Sequence, residues 1–187
     1  RALPKPQRPF CPRTPTAPER IREEDDILNI TLTQAKEPEL PELLALARAA
    51  SDVPDSRWDE EYPNMDILRW DLEQQGLYRA VLENGELVGM IAIHRQGEDE
   101  ITWPEPYDQA WELSRLAVLP SYQLAGMGKE IFRAAVSLCR SMGCRSLRLL
   151  VSRDYARAIH IYETAGFRRI GAAAAWGESF YMYGLIL

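Results

Sequence analysis

Residues 113–128 place an apolar strand, a proline and two closely spaced glycines directly before a long amphipathic helix. The glycines, Gly126 and Gly128, stand where this strand–loop–helix junction turns. A helix that begins with bare backbone N–H groups presents the positive end of its dipole, and such an end is a favourable place for phosphate groups. The junction therefore predicts an α/β protein that binds a phosphate-bearing ligand.

Two other glycine-rich phosphate loops do not match this segment. A P-loop needs a glycine five residues before its Gly-Lys pair and a Ser or Thr after it, but the chain has Gln123 and Glu130 at these places. A dinucleotide-binding fingerprint needs a third glycine where the chain has Ile131. Neither the P-loop nor the dinucleotide-binding fingerprint therefore describes this segment.

Hydrophobic periodicity and turn signals divide the rest of the chain into strands and helices. Asn84-Gly85 favours a type I′ hairpin turn, in which both central residues have positive φ. Asp154 is the expected N-cap of the last helix, and residues 97–108 are predicted to form a loop. In chain order we predict a strand over 27–33, helices over 38–50 and 65–75, strands over 77–82, 87–93 and 111–118, a helix over 127–142, a strand over 147–151, a helix over 155–165 and strands over 167–175 and 179–187. This order predicts an α/β (α+β) fold with a mixed central sheet and a helix on each face.

Length and composition indicate one globular domain over 27–187, preceded by a proline-rich extended arm over 1–26. Six of the first 18 residues are proline, which excludes a helix or a central strand there. No apolar run approaches the roughly 20 residues of a membrane span, and the N-terminus has no apolar signal core. We therefore expect a cytoplasmic protein with no membrane partner.

Charge and metal-ligand content narrow the classes of function. The net charge is −6 although the first 20 residues are basic, so the domain is acidic and nucleic acid is not an expected partner. An acidic domain suits a cationic substrate such as an amine, or it serves solubility alone. The three cysteines lack Cys-x-x-Cys spacing, and His94 and His160 are the only histidines, so no metal site is expected.

Two motifs together resemble those of the GCN5-related N-acetyltransferases, the GNAT superfamily. Residues 118–128 read Val-x-Pro-x-x-Gln-x-x-Gly-x-Gly, which is similar to the acyl-CoA pyrophosphate loop of that family. The family often shows Asn-x-x-Ala-x-x-x-Tyr-x-x-x-Gly-Phe after the next strand; here Ala158, Tyr162, Gly166 and Phe167 match, and Tyr155 replaces the Asn. The resemblance covers about residues 27–187 and implies a GNAT fold with a mostly antiparallel sheet.

The resemblance implies acetyl-CoA as the cosubstrate. It places the pantetheine arm along Leu116, Ala117 and Val118, where a backbone N–H would polarise the thioester carbonyl. Tyr155 stands where the family's Asn commonly contacts the pantetheine or a nearby backbone group. The residues implied to bind the pyrophosphate, with added charge from the last, are Gln123, Leu124, Ala125, Gly126, Met127, Gly128 and Lys129.

Proton transfer needs two groups in such a reaction. The resemblance assigns Tyr162 as the acid that protonates the departing thiolate; the alternative is that Tyr162 only packs between helix and sheet. Glu112 is the first candidate for the base, because regular alternation would put it on the same strand face as Val118. Ser114 and His94 are the other candidates, and a solvated Glu112 without a catalytic role is the plainer interpretation.

The loop over 58–62 falls where the family places its acceptor-binding helices. Its carboxylates and aromatic rings are expected to attract and stack on an ammonium group, or else to form a surface loop with its aromatics in the core. The residues concerned are Trp58, Asp59, Glu60, Glu61 and Tyr62, and the candidates for an opposite wall are Trp103, Tyr107 and Trp111.

The sequence thus predicts an N-acyltransferase that moves an acetyl group from acetyl-CoA to a primary amine by direct attack in a ternary complex. No cysteine near Tyr162 has a histidine partner, so a covalent acyl-enzyme is not favoured. The alternative is a non-catalytic GNAT module that binds acyl-CoA or another protein. The acceptor is a small molecule or a peptide, and a homodimer is a further expectation.

Overall fold

The computed structural model describes residues 29–52, 56, 58–95, 101–123 and 126–187. The predicted arm over 1–26, the start of the first predicted strand, and Leu124 and Ala125 lie outside the described residues. Within the described part, twelve α-helices and β-strands follow one another: β1 Thr31–Gln34, α1 Leu40–Ser51, α2 Met65–Glu73, β2 Leu77–Val81, β3 Leu87–His94, β4 Trp111–Val118, α3 Pro120–Gln123, α4 Met127–Ser141, β5 Ser146–Ser152, α5 Ala156–Thr164, β6 Arg168–Ala175 and β7 Glu178–Ile186.

The strands form one seven-stranded sheet in the order β1-β2-β3-β4-β5-β7-β6. Every neighbouring pair is antiparallel except β4 and β5, which run parallel. The predicted mixed, mostly antiparallel sheet is confirmed. Its single parallel contact follows from the chain path, because α4 joins β4 to β5 as a crossover helix.

Helices cover both faces of the sheet, as predicted. On one face, α4 and α5 pack through Ile131, Phe132 and Ala158 into a cluster that also holds Ile91 and Val118. On the other face, α1 and α2 pack through a second cluster, whose members include Leu40, Leu43, Leu68, Met90 and Ala117. Adjacent strand residues such as Met90 and Ile91 fall in different clusters because successive side chains of a strand point to opposite faces.

Two local predictions were wrong. The N-cap of α5 is Tyr155 rather than Asp154, because a turn that closes from the Tyr155 N–H to the Ser152 carbonyl delays the helix by one residue. The β2–β3 turn has positive φ only at Gly85, at 83°, so it is not type I′. Here the Gly85 N–H bonds to the Leu82 carbonyl and the Leu82 N–H to the Glu86 carbonyl, which is a three-residue turn with a bulge at the glycine.

Strand β4 carries an extra residue in its middle. Met90 of β3 pairs with Ala117 and Ala92 pairs with Ser114, so three steps along β4 oppose two steps along β3. Arg115 lies in this bulge with φ of 51°, a left-handed conformation that is uncommon for residues other than glycine. The bulge reverses the alternation of side chains along the strand. A residue before the bulge and a residue after it that lie an even number of positions apart therefore point to opposite faces of the sheet.

Gly89 marks the closest approach between β3, β4 and α4. A Cβ built on Gly89 would lie 2.5 Å from the Ala117 carbonyl oxygen and 2.5 Å from Ile131 Cδ1. One of these contacts is with backbone, which cannot move aside without separating the strands. The residue that begins the central pairing of the sheet must therefore be glycine.

We expect Gly89→Ala to lower the free energy of unfolding by about 2 kcal/mol, the typical cost of overpacking a core. Gly128→Ala is the matched control, because its added Cβ would meet Ile161 Cδ1 at 3.4 Å and Val118 Cγ2 at 3.6 Å, which are ordinary contacts. Urea denaturation of both variants without ligand measures the difference. Equal stabilities for the two variants would contradict the close approach at Gly89.

Candidate active site

The sheet opens between β4 and β5. These parallel strands pair only at Trp111 with Leu147 and at Glu112 with Arg148. Beyond Glu112 no ladder pair joins them within the described residues, although β4 continues to Val118 and stays paired with β3. The open half of β4 holds Leu116, Ala117 and Val118, the residues expected to line the pantetheine arm.

The N-terminus of α4 lies at the end of this opening. Gly126 is the N-cap, with φ of 76°, and the Lys129 and Glu130 N–H groups bond back to its carbonyl oxygen. Helical geometry leaves the N–H groups of Met127 and Gly128 without an acceptor inside the helix. Gly128 is buried, and a Cβ there would contact Val118 of β4 and Ile161 of α5, so the helix start sits between those two elements.

Gln123 serves the scaffold with its side chain. Its amide nitrogen donates hydrogen bonds to the Ala50 carbonyl at 3.2 Å and to the Val118 carbonyl at 3.1 Å. Arg157 of α5 approaches the amide oxygen of Gln123 at 3.5 Å. These contacts join the end of α1, the end of β4 and α5, so the Gln123 amide is already engaged within the protein.

Tyr162 of α5 packs its ring against Phe132 of α4, with the ring centroids 5.0 Å apart. Burial raises the pKa of Tyr162 well above its usual range, and the nearby phenols of Tyr155 and Tyr62 raise it further. Tyr162 is therefore a neutral phenol, as a proton donor has to be.

The loop before α2 is built around Asp59. The Asp59 carboxylate accepts hydrogen bonds from the Glu61 N–H at 2.8 Å and from the Tyr62 N–H at 3.0 Å. Arg48 of α1 donates to the carbonyl oxygens of Asp59 and Glu60. Asp59 therefore shapes the loop, and it is exposed together with Glu60 and Glu61.

Two aromatic residues of this loop meet edge to face. The rings of Trp58 and Tyr62 are 6.1 Å apart at an angle of 76°. Trp58 is half-buried against the α1–α2 cluster, whereas Tyr62 is exposed. The residues proposed for an opposite wall do not form a similar pair. Trp103 packs under the Arg148 guanidinium, and Tyr107 packs against Gly184 of β7.

The prediction that Glu112 and Val118 share a strand face was wrong. The bulge at Arg115 lies between them, and Val118 instead packs into the same cluster as Leu113. The Glu112 carboxylate accepts a hydrogen bond from Arg148 Nε at 3.2 Å, and both side chains are largely buried. A carboxylate committed to a buried guanidinium is a poor proton acceptor, so this contact argues against Glu112 as the base.

A buried ionic cluster beneath the loop was missed by the sequence analysis. Arg115 binds Asp71 of α2 with two hydrogen bonds, Nε to Oδ2 at 2.6 Å and Nη2 to Oδ1 at 2.5 Å. His94 Nε2 lies 2.9 Å from Asp71 Oδ1 and 3.0 Å from Arg115 Nη2. Arg115 Nη1 also donates to the Tyr62 hydroxyl at 3.2 Å. All three charged or titratable partners of this cluster are buried in the protein.

Electrostatics hold Arg115 in its charged form. Burial alone would lower its pKa, but Tyr62 and Asp71 outweigh burial and raise the pKa well above its ordinary value. A signal for the cluster is present in the sequence: Asp71 follows Leu68 by three residues on the apolar stripe of α2, and Arg115 interrupts an apolar strand. Neither residue identifies its partner without the fold.

The Ser114 hydroxyl, a candidate base, is buried, and it has no hydrogen-bond partner within the part of the chain that the structure describes.

Over the described residues, no three His, Cys, Asp or Glu side chains come close enough to hold a metal ion. No helix among the described ranges is long and apolar enough to cross a bilayer.

Comparison with known proteins agrees with this architecture. Residues 40–167 match the family model described as the acetyltransferase (GNAT) family. No curated protein sequence matches the chain significantly.

Many solved structures share the fold at low sequence identity. A GNAT-family acetyltransferase from Streptococcus agalactiae has 16% identity and a TM-score of 0.71, with 84% of this chain and 95% of that chain covered. One from Listeria monocytogenes has 20% identity and a TM-score of 0.67, with the same coverage of 84% and 95%. A structure described as a putative phosphinothricin N-acetyltransferase has 20% identity and a TM-score of 0.62, covering 85% and 99%.

The parted parallel strands, the glycine-capped helix at their end and the match over most of the domain lead to one assignment: this chain belongs to the GNAT family of acetyltransferases.

Proposed function

We propose that the protein transfers an acetyl group from acetyl-CoA to a primary amine by direct attack in a ternary complex. The observation that carries this proposal is the opening between β4 and β5, which pair at two positions only. The N-terminus of α4 stands at the end of that opening, and Tyr162 lies on α5, the helix that meets this N-terminus at Ile161. Together these features supply a phosphate site, a strand edge and an acid.

The donors at the opening suit the chemistry of coenzyme A. The N–H groups of Met127 and Gly128 and the positive end of the helix dipole favour the pyrophosphate, and Lys129 adds a cation. The unpaired edge of β4 at Leu116–Val118 offers backbone groups to the two amides of pantetheine. Leu124 and Ala125 belong to the same expected set but lie outside the described residues.

The chemical step needs one acid and one proton acceptor. The amine nitrogen bonds to the thioester carbonyl carbon, the carbon–sulfur bond breaks, and the departing thiolate takes a proton from the Tyr162 hydroxyl. The amine proton leaves to water or to a carboxylate, which is the role considered for Glu112. Because Arg148 already engages Glu112, water is the acceptor that the structure favours.

The acceptor amine is proposed to enter over the loop before α2. Glu60 and Glu61 provide exposed negative charge there, and the exposed ring of Tyr62 provides a face for cation–π contact beside Trp58. These features favour a small cationic amine. A cytoplasmic location and a homodimer remain predictions.

Ligand binding is the first measurement. Acetyl-CoA or free coenzyme A at ~100 times its dissociation constant should stabilise the protein by ~2.7 kcal/mol, seen as a rise in melting temperature, whereas ATP should not. We expect Gly126→Ala to weaken this stabilisation, because Gly126 has φ of 76° at the start of α4.

Gly85→Ala is the matched control for this variant, because Gly85 has a similar φ of 83° but belongs to the β2–β3 turn and not to the start of α4. Both variants should lose about 1 kcal/mol of intrinsic stability to backbone strain, but only Gly126→Ala should show a weaker stabilisation by acetyl-CoA. No stabilisation of the wild type by either coenzyme would contradict the proposed function.

Tyr162→Phe should lower kcat at least a hundredfold with little change in KM, since it removes the acid but keeps the ring that packs on Phe132. Thiol release from acetyl-CoA with a panel of primary amines measures it. Full turnover by the variant would show that Tyr162 only packs. A wild type that binds acetyl-CoA and acetylates no amine would instead support the non-catalytic binding module.

The pH dependence follows from the raised pKa of Tyr162. A raised pKa keeps the phenol protonated, so the acid should stay competent to pH values above the ordinary tyrosine pKa of ~10. We expect the rate to rise as the amine deprotonates and not to fall again up to about pH 10. A fall in rate centred below pH 9 in the wild type would contradict this assignment.

A further inference from the structure

The bulge in β4 is held in a conformation that its sequence does not favour. Arg115 has φ of 51°, and a side chain in the left-handed region costs free energy that glycine would avoid. The bulge sits three residues after the last pair between β4 and β5. The strain therefore lies where β4 parts from its parallel neighbour.

One fully buried carboxylate binds the strained residue and holds it in this conformation. Asp71 is 0% exposed and binds Arg115 through both carboxylate oxygens, at 2.6 Å and 2.5 Å. Bidentate pairs of this kind fix geometry as well as supplying energy. A buried ion pair is weak evidence for stability, since apolar residues of the same volume often do as well. Its location at a strained residue points to a specific structural task.

The same guanidinium reaches the loop before α2. Arg115 Nη1 donates to the Tyr62 hydroxyl at 3.2 Å, while Nη2 lies 3.0 Å from His94 Nε2. The bulge, α2, β3 and the loop therefore meet at a single side chain. A change at Asp71 would reach both the open edge of β4 and the proposed acceptor loop through that side chain.

We propose that Asp71 is a positioning residue for acetyl transfer: through Arg115 it fixes the β4 bulge, and with it the backbone N–H groups next to the bulge that meet the thioester carbonyl of acetyl-CoA. This inference rests on the proposed function. It predicts that Asp71 affects recognition of the acetyl thioester more than recognition of the remainder of coenzyme A, which binds farther along β4 and at α4.

The test compares the dissociation constants of acetyl-CoA and free coenzyme A by calorimetry in the wild type and in Asp71→Asn, which keeps the side-chain shape. We expect acetyl-CoA binding to weaken by about tenfold relative to coenzyme A binding, the effect of one lost hydrogen bond. Glu39→Gln is the matched control, because it loosens the partly buried Arg79–Glu39 pair (2.7 Å) away from the bulge. Its ratio of the two constants should equal that of the wild type.

A readout without ligand separates this inference from the proposed function. Amide hydrogen exchange of residues 115–118 should accelerate in Asp71→Asn and not in Glu39→Gln. If Asp71→Asn does not fold, Arg115→Lys takes its place, because it keeps the charge and removes the bidentate contact. Unchanged exchange, or an unchanged ratio of dissociation constants, would overturn the positioning role even where both ligands bind. Failure of both ligands to bind the wild type would overturn the proposed function, and with it the assigned task of the bulge.

Discussion

The short parallel contact between β4 and β5 is the constraint on which the rest of the structure depends. Where two strands of a sheet stop pairing, each leaves an edge of unpaired backbone groups. Such groups are costly away from water, so the edge has to be covered by another element or be available to a ligand. Here the pairing ends after two positions. α4 and α5 pack against one face of the sheet at this point, and the open edge faces the start of α4.

The two faces of the sheet perform different tasks. The α4–α5 face is apolar and packs the start of α4, the proposed phosphate site, against β4 and α5, as the closeness of Gly128 to Val118 and Ile161 illustrates. The α1–α2 face instead contains the Asp71–Arg115–His94 cluster directly beneath the loop expected to bind the acceptor. The elements proposed to bind the acyl donor and the acceptor thus lie on different faces of the sheet, which suits the proposed direct attack in a ternary complex.

The positions of helices and strands were predictable because they depend on local periodicity and on turn residues. β4 matches its predicted range over 111–118, and α4 begins directly after Gly126 as expected. The errors occur where a local preference has a close competitor. Asn84-Gly85 prefers a type I′ turn, but a three-residue turn closed at Gly85 satisfies the same hairpin. The β6–β7 turn differs from the β2–β3 turn, because both of its residues, Trp176 and Gly177, have positive φ, as a type I′ turn requires.

By itself the sequence determined the order of elements and the glycine-capped start of α4, which follow from residue types at fixed spacing along a single element. The resemblance to the GNAT family added Tyr162 as the proton donor to test. Only the tertiary structure decided that Glu112 and Val118 lie on opposite faces, that Arg148 engages Glu112, and that Asp71 meets Arg115. A bulge shifts every later side chain to the other face, and an ion pair between residues 44 positions apart depends on how α2 packs on the sheet. Neither the bulge nor the ion pair can be predicted from the spacing of residues along the chain.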